Sequence, residues 1–211
     1  MRRKFVSNSE ESVRMFKSDF LETLSKVHFT VPIWVYMPVI IYGIYQSLYI
    51  GNSISYLFAQ IIVGLFVWTF TEYIMHRYLF HWTPPGKFGE RLHFIFHGVH
   101  HDYPSDKKRL VMPPSVSLPL ATGFYFLYRL ILPETFFWGF FSAFLFGYLV
   151  YDIGHYAMHH FNFKSGVFKE IKRYHMLHHY QEPEKGFGVS SALWDKIFNS
   201  GFRKEKSAEN L

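Results

Sequence analysis

The stretch ETFFWGFFSAFLFGYLVYDIGHYAMHH (residues 134–160) carries a long apolar run directly into a group of histidines. Only two residues between positions 110 and 151 are charged, and residues 29–71 contain no charged residue at all. A helix needs about 20 apolar residues to cross a bilayer. Each of these two blocks therefore has the length of two crossings, with breaks at Gly51-Asn52-Ser53 and around Pro133.

The basic residues lie outside these blocks, since residues 1–28, 72–109 and 152–211 hold 21 of the 22 lysines and arginines. Two helical hairpins would place all three segments on one face of the membrane, and the positive-inside rule makes that face cytoplasmic. We therefore predict an all-α integral membrane fold, in which a cytosolic, helical, histidine-rich metal-binding domain caps the hairpins. The predicted four transmembrane helices occupy about residues 29–50, 54–75, 112–132 and 134–152. Residues 1–28 would form a cytosolic N-terminal segment, residues 29–211 a single membrane-embedded domain, and residues 76–109 and 153–200 its cytosolic metal-site segments.

Composition excludes several other classes of protein. The chain has 211 residues and no cysteine, which removes disulfide scaffolds, cysteine zinc fingers and thiol catalysis. The net charge is +6, but the basic residues flank the apolar blocks and form no separate stripe, so nucleic-acid binding is not expected.

Twelve of the 13 histidines lie in the two charged segments that follow the apolar blocks. They are His76, His81, His93, His97, His100, His101, His155, His159, His160, His175, His178 and His179. Two hairpins with their ends at one surface would bring all of these groups together.

The spacing of these histidines suits metal binding. The groups at 97–101 and 175–179 both read H-x-x-H-H, and residues four apart share a helix face, so the first and last histidines of each group point together. His155 and His159 are also four apart. His76 and His81 are five apart, about 140° on an α-helix, and would meet only from two sides of a site or if the helix ends between them. Pro84-Pro85-Gly86 follows soon after and makes a helix end there plausible.

About ten imidazoles exceed the ligand number of one ion and fit two ions with about five histidines each. Imidazole binds zinc, copper, iron and nickel. Within the groups, His93 and His160 are the weakest candidates, each expected as a ligand or as a partner of one. Asp152 and Glu72 lie three and four residues before a histidine and could each accept its second N–H; an ordinary polar residue at a helix end is the alternative.

Four phrases resemble the histidine boxes of the integral-membrane fatty acid hydroxylase/sterol desaturase superfamily, closest to the fatty acid 2-hydroxylases. They are TEYIMHRYLFH, HFIFHGVHHDYPSDKKRLVMPP, YDIGHYAMHH and RYHMLHHYQEPEKGFGVSSALWDKIF, which together span residues 71–198. The boxes alone are shared with sister enzymes, whereas RLVMPP and GFGVSSALWDKIF are more specific to the 2-hydroxylases.

This resemblance implies a dioxygen-dependent enzyme with two irons that adds a hydroxyl to C2 of a fatty acid or of the N-acyl chain of a sphingolipid. Its implied metal ligands are His76, His81, His97, His100, His101, His155, His159, His175, His178 and His179. Zinc binds the same ligands readily and could occupy the site in purified protein. Tyr103 and Tyr151 are candidates for binding the lipid headgroup, although aromatic residues are also common at the membrane interface.

Many eukaryotic 2-hydroxylases carry a fused cytochrome b5 domain, whereas only 28 residues precede the first apolar block here. The resemblance therefore implies a separate electron donor such as a ferredoxin, cytochrome b5 or a reductase. The expected location is the bacterial inner membrane or the endoplasmic reticulum, with the active site on the cytoplasmic face. The alternatives are a sterol desaturase or oxidase, or a carotenoid hydroxylase, on the same metal core. A metal transporter is a remote alternative, because the spans lack histidines and acids in their interiors.

Overall fold

The computed structural model describes residues 6–7 and 9–202, and it is helical with no strand in that part of the chain. Residues 1–5 and 8 of the predicted N-terminal segment, and residues 203–211 of the predicted membrane domain, lie outside the described residues. The helices are α1 (Asp19–Leu24), α2 (Val31–Tyr49), α3 (Ile54–Ile74), α4 (Gly86–His93), α5 (Val99–Asp102), α6 (Pro114–Ile131), α7 (Glu134–His160), α8 (Gly166–Tyr180) and α9 (Leu193–Ile197). Two π-helical segments, Met75–Phe80 and Phe94–Gly98, continue α3 and α4.

The longest helix, α7, is the centre of the fold. It packs along both α2 and α3, and α6 folds back against it after the short connection at Leu132 and Pro133. Its aromatic residues form the core with residues of the neighbouring helices, and Phe137 and Phe144 are almost completely buried. Because α7 runs unbroken from this core to His160, the packing of the bundle also orients the histidines at its end.

Glycine lets the α3 and α7 backbones approach closely. A Cβ added at Gly64 of α3 would lie 2.4 Å from the Phe140 carbonyl oxygen and 2.8 Å from the Ala143 Cβ. Small residues at such crossings allow helix backbones to make extensive van der Waals contact. The crossing sets how far the π-helical continuation of α3, which carries His76, lies from the end of α7.

A polar clamp joins the two hairpins at the end of the bundle far from the histidines. The carbonyl oxygen of Thr135 accepts hydrogen bonds from Asn52 Nδ2 (2.6 Å) and Gln60 Nε2 (2.8 Å), and Gln60 Oε1 accepts one from Ser47 Oγ (2.9 Å). Gln60 is fully buried, so these bonds satisfy an amide that would otherwise be costly to bury.

Among the described residues, three helices are long and apolar enough to cross a membrane: Val31–Tyr49, Ile54–Phe80 and Glu134–His160. The fourth expected crossing corresponds to α6, an 18-residue helix that contains two prolines, two serines and Arg129. These residues make α6 less apolar than the other three helices, although it pairs with α7 as the second hairpin requires.

The N-terminal segment packs against the loop that follows α5, held by a buried ion pair. The Glu22 carboxylate accepts from Arg109 Nη2 at 2.5 Å and from the Met15 and Phe16 amides. Burial raises the pKa of Glu22, but hydrogen bonds from Lys26 and these two amides, with the Arg109 charge, outweigh burial and bring the pKa down to about 2. The segment is therefore fastened by a carboxylate that stays ionised.

Candidate metal centre

Ten histidines converge at one end of the bundle in two clusters, whose potential ligand nitrogens within each cluster lie within 4.8 Å of one another. Cluster A consists of His76, His81, His97, His101 and His178, and cluster B of His100, His155, His159, His175 and His179. The two clusters contain all ten residues that the resemblance implies as ligands. They lie side by side, since the rings of His101 and His179 stack at 4.2 Å between centroids.

The two H-x-x-H-H groups cross between the clusters. As the spacing predicts, the first and last histidines of each group share a cluster: His97 and His101 lie in cluster A, and His175 and His179 in cluster B. The middle histidine of each group joins the other cluster, because it lies about 100° around the helix from the residue that follows it. His100 thus belongs to cluster B and His178 to cluster A, so each group contributes to both clusters.

A change of helical winding brings His76 and His81 together. The expected 140° separation assumes α-helical geometry, which does not hold here, because Met75–Phe80 is π-helical. The His81 amide donates to the His76 carbonyl at 3.2 Å, the i to i+5 bond of a π-helix, and their ring centroids are 5.0 Å apart. The helical segment ends at Phe80 and His81 is its C-cap residue, so the helix ends between the two histidines, as one of the two predicted arrangements requires, and both belong to cluster A.

The distances between ring nitrogens fit shared metal ions. Two nitrogens bound to one ion at about 2.1 Å and at right angles to each other are about 3.0 Å apart. The Nε2 atoms of His76 and His97 are 3.0 Å apart, and those of His81 and His178 are 3.1 Å apart. In cluster B, the Nε2 atoms of His159 and His175 are 3.0 Å apart.

Several of these buried nitrogens have no partner within the described protein. Neither ring nitrogen of His100, His155 or His179 has a hydrogen-bond partner, and all three rings are nearly inaccessible to solvent. An unsatisfied buried polar group costs about 1–3 kcal/mol, so natural proteins rarely retain several together without a reason. A bound ion would supply that reason, and the donor set fits a metal that accepts imidazole nitrogen.

The surroundings also keep these histidines neutral. Burial, and then the neighbouring imidazoles, lower the pKa values of His97, His100 and His101 well below the usual range. Burial lowers the pKa of His178 to about 4, against a hydrogen bond to a carbonyl that raises it. Only the neutral imidazole offers a lone pair to a metal, so the clusters are ready to bind ions at neutral pH.

Backbone carbonyls orient two rings of cluster A. The His76 Nδ1 is 2.6 Å from the Phe187 carbonyl oxygen, and the His178 Nδ1 is 2.7 Å from that of Lys185. A carbonyl can only accept, so Nδ1 carries the proton in each ring and Nε2 is left as the ligand atom.

Two buried carboxylates hold the loop that carries these carbonyls. Asp195, which is fully buried, accepts from the amides of Phe187 (3.0 Å) and Gly188 (2.7 Å). Glu72 accepts from the amides of Val189 (2.7 Å) and Ser190 (2.8 Å). The sequence left open whether Glu72 accepts from a histidine or is an ordinary polar residue at a helix end; in the structure it fastens the loop that contacts His76.

Asp152 likewise has partners other than a histidine. Its carboxylate accepts from the Met112 amide at 3.0 Å and from the Tyr148 hydroxyl at 3.1 Å. It therefore fastens the RLVMPP segment to α7, whereas His155, three residues later, has no such partner.

The remaining candidates lie beside the clusters. His93 and His160 belong to neither cluster: His93 Nδ1 is 3.1 Å from the Phe80 carbonyl oxygen, and His160 packs against the Tyr156 ring. Tyr151 is buried next to His155, and Tyr103 caps α5. Binding of the lipid headgroup stays a prediction for both tyrosines.

The loop residues that orient cluster A were missed by sequence reasoning. Lys185 and Phe187 act through their carbonyl oxygens, which leave no trace in side-chain type. Asp195 offered a signal, because it is an acidic residue within the apolar phrase SALWDKIF. Without the fold, nothing in the sequence connects it to His76.

Known proteins resemble this chain in sequence and in structure. The profile described as "Fatty acid hydroxylase" matches residues 61–200. Over 193 residues the chain is 36% identical to "Dihydroceramide fatty acyl 2-hydroxylase FAH1" of Arabidopsis thaliana, covering 91% of this chain and 81% of the relative. It is 38% identical over 186 residues to "Ceramide very long chain fatty acid hydroxylase scs7" of Schizosaccharomyces pombe, covering 86% of this chain and 53% of the relative. It is 37% identical over 210 residues to "Fatty acid 2-hydroxylase" of Mus musculus, covering 89% of this chain and 56% of the relative.

A solved structure described as "Full length scs7p (only hydroxylase domain visible)" superposes with a TM-score of 0.82 at 38% sequence identity. The match covers 88% of this chain and 70% of that chain. The chain spans about half the length of the fission yeast and mouse relatives. The likeness therefore extends over most of the present chain and concerns one part of those longer proteins.

Proposed function

Because this chain belongs to the fatty acid hydroxylase family, we propose that it is a membrane monooxygenase that hydroxylates C2 of a fatty acid or of a sphingolipid N-acyl chain. The observation that carries this function is the pair of buried five-histidine clusters. The relatives described above are named as 2-hydroxylases or ceramide hydroxylases, and these names favour hydroxylation of acyl chains over sterol or carotenoid oxidation.

Cluster A and cluster B would each hold one iron, with five imidazole nitrogens per ion. When bound, the two irons would supply the activation of dioxygen that C–H hydroxylation requires. The protein's own part is to present neutral imidazoles with fixed ring orientations, as the Phe187 and Lys185 carbonyls do in cluster A. No carboxylate belongs to either cluster, so the ligands add no negative charge to the site.

We further propose that the chain crosses the membrane four times, with α6 as the crossing beyond the three most apolar helices. In this arrangement the helical residues that follow the spans form a cap over the histidines. The distribution of lysine and arginine supports a cytoplasmic location for this end. The membrane would be a bacterial inner membrane or the endoplasmic reticulum.

Electrons would come from a separate donor, such as a ferredoxin, cytochrome b5 or a reductase. A wide polar cleft of about 980 Å³ supports this proposal, because it reaches His81, His101 and His179 from the solvent side. A donor seated over this cleft would lie close to both clusters.

Metal analysis combined with a product assay tests the proposed function. Purified protein should bind two irons per chain and, with dioxygen and an electron donor, release acyl chains that carry a 2-hydroxyl group by mass spectrometry. His100→Ala should lose metal from cluster B and abolish the product. A protein with two irons that yields a double bond or a hydroxylated ring would belong to a sister reaction, and absence of stoichiometric metal would reject the site.

A further inference from the structure

We propose that the acyl chain of the substrate enters sideways from the membrane, through a portal between α1 and the start of α6. This inference rests on the proposed function and names the route by which a lipid reaches that site. Leu21 and Leu24 of α1 form one wall of the portal, and Val116 of α6 forms the other.

A cavity of about 310 Å³ connects the portal to both histidine clusters. Its inner end is formed by His97 of cluster A and by His100 and His155 of cluster B. Its outer end is formed by Leu21, Leu24 and Val116. A molecule that fills this cavity therefore contacts the outside at one end and both metal clusters at the other.

The walls between these ends suit an acyl chain. Val99 and Val111 line the cavity and are only 5% and 1% exposed. Ile95, Phe96 and Leu110 add further apolar lining. Burial of apolar chain surface here is favourable by about 25 cal/mol per Å².

The position of α1 places the portal at the membrane surface. Ser115 Oγ, at the start of α6, donates to the Leu24 carbonyl oxygen at 3.0 Å, so α1 lies level with the end of the bundle. Leu21 and Leu24 of α1 are 46% and 41% exposed, and Phe20 on the same helix is 71% exposed. Exposed apolar side chains on a helix next to membrane spans are typical of a helix lying in the interface.

The buried ion pair described above holds α1 in this position. Arg109 also lines the cavity, and it donates to Ser25 Oγ (2.7 Å) and to the Val13 carbonyl oxygen (2.7 Å) as well as to Glu22. Glu22 is the one buried residue of α1. Because the Glu22 side chain points into the protein, the leucines of α1 face the cavity mouth and the membrane.

A second opening, the polar cleft described above, is unsuitable for an acyl chain. The cleft that reaches His81 and His101 is lined by Arg77, Lys87 and Arg91. An apolar chain would have to displace water from these charged groups, and burying them without partners is costly. The two openings thus divide the access routes into a polar one and an apolar one.

Photo-crosslinking tests the portal without depending on turnover. The metal-loaded protein is placed in phosphatidylcholine vesicles that contain a ceramide with a diazirine on its acyl chain, and labelled residues are mapped by mass spectrometry. Val99 and Val111 are the decisive positions, because they are buried and cannot be labelled by lipid outside the cavity. We expect label at both positions in the wild-type protein.

Leu24→Trp should fill the portal and reduce label at these two valines at least about fivefold. Phe20→Trp is the matched control, since Phe20 lies on the same helix but does not line the cavity, and its label should match the wild type. Leu21→Trp replaces Leu24→Trp as the blocking variant if the latter loses its metal. Wild-type protein without label at either valine, or a metal-loaded blocking variant labelled like the wild type, would overturn the portal.

The same preparations separate this inference from the proposed function. Label at Val99 and Val111 that the blocking variant removes supports the portal even if no 2-hydroxylated product is found, in which case the proposed reaction alone fails. Product formation without label at these valines keeps the reaction and rejects the route.

Discussion

Asp195→Asn should weaken metal binding in cluster A while leaving cluster B unchanged. The two Asp195 oxygens accept from the amides of Phe187 and Gly188 and from the Ser200 hydroxyl, at 3.0, 2.7 and 2.7 Å. Asparagine has one acceptor oxygen and one NH₂ group, so at least one of the two buried amides then faces a donor. The Phe187 carbonyl, which orients His76, belongs to the segment that these bonds hold.

The expected magnitude follows from the bonds that are lost. A buried N–H without an acceptor costs about 1–3 kcal/mol, and the remaining bonds lose the added strength of a charged acceptor. We therefore expect the free energy of unfolding to fall by about 2–4 kcal/mol. Loss of the group that orients a ligand histidine typically weakens metal binding by about 10–100-fold.

The assay is metal content measured across a series of chelator concentrations. Asp195→Asn should lose one equivalent of iron at a chelator concentration about 10–100-fold lower than the wild type does. It should lose the second equivalent at the same chelator concentration as the wild type. Asp19→Asn is the matched control, because its side chain is 91% exposed and its ion-pair partner is Arg14. The role given to Asp195 would be refuted if both equivalents of iron were bound equally more weakly than in the wild type, or if both were bound as tightly as in the wild type.

Three further predictions concern the clusters, the N-terminal segment and the helix crossing. His178→Ala and His179→Ala change adjacent residues, yet His178→Ala should release the metal of cluster A and His179→Ala the metal of cluster B. The spectroscopic signatures of the two half-loaded proteins should therefore differ. Identical spectra would argue against the crossed arrangement. The pKa of Glu22 is lowered from 4.5 to about 2, so its stabilising contribution is complete above pH 4.5 and is lost as pH falls toward 2. The protection factors of the amides that it accepts from, which compare the observed exchange with the intrinsic rate at each pH, should fall between pH 5 and 3, and should already be low at pH 5 in Glu22→Gln. Gly64→Ala would place a Cβ 2.4 Å from a backbone carbonyl of α7 and should destabilise the protein by about 1–3 kcal/mol in thermal unfolding, whereas Gly123→Ala on α6, with nothing within 4 Å of the added Cβ, should not.

Local patterns in the sequence were enough to predict the family, the function and the convergence of the histidines. The separation of charged and apolar residues predicts long membrane helices, and three of them meet the requirements for a crossing. The H-x-x-H-H spacing predicts which outer histidines share a face, because residues four apart in a helix lie above one another. These features depend on residues close together in the chain.

The partners of Glu72 and Asp152 could not be predicted in this way. Glu72 accepts from amides more than a hundred residues away in the chain, and Asp152 from the amide of Met112. Sequence spacing allowed nearby histidines for both, with an ordinary polar residue at a helix end as the alternative. The choice between a nearby and a distant donor depends on which backbone segment packs beside the carboxylate.

The sequence by itself determined that about ten histidines would gather at one end of a helical bundle, in a number that predicts two metal ions. Only the tertiary structure decided that His100 and His178 exchange clusters, that a π-helical segment brings His76 and His81 together, and that backbone carbonyls fix the ring orientations in cluster A. The physical reason is that a helix sets the direction of each side chain relative to its neighbours, whereas the packing of helices against one another sets what each side chain meets.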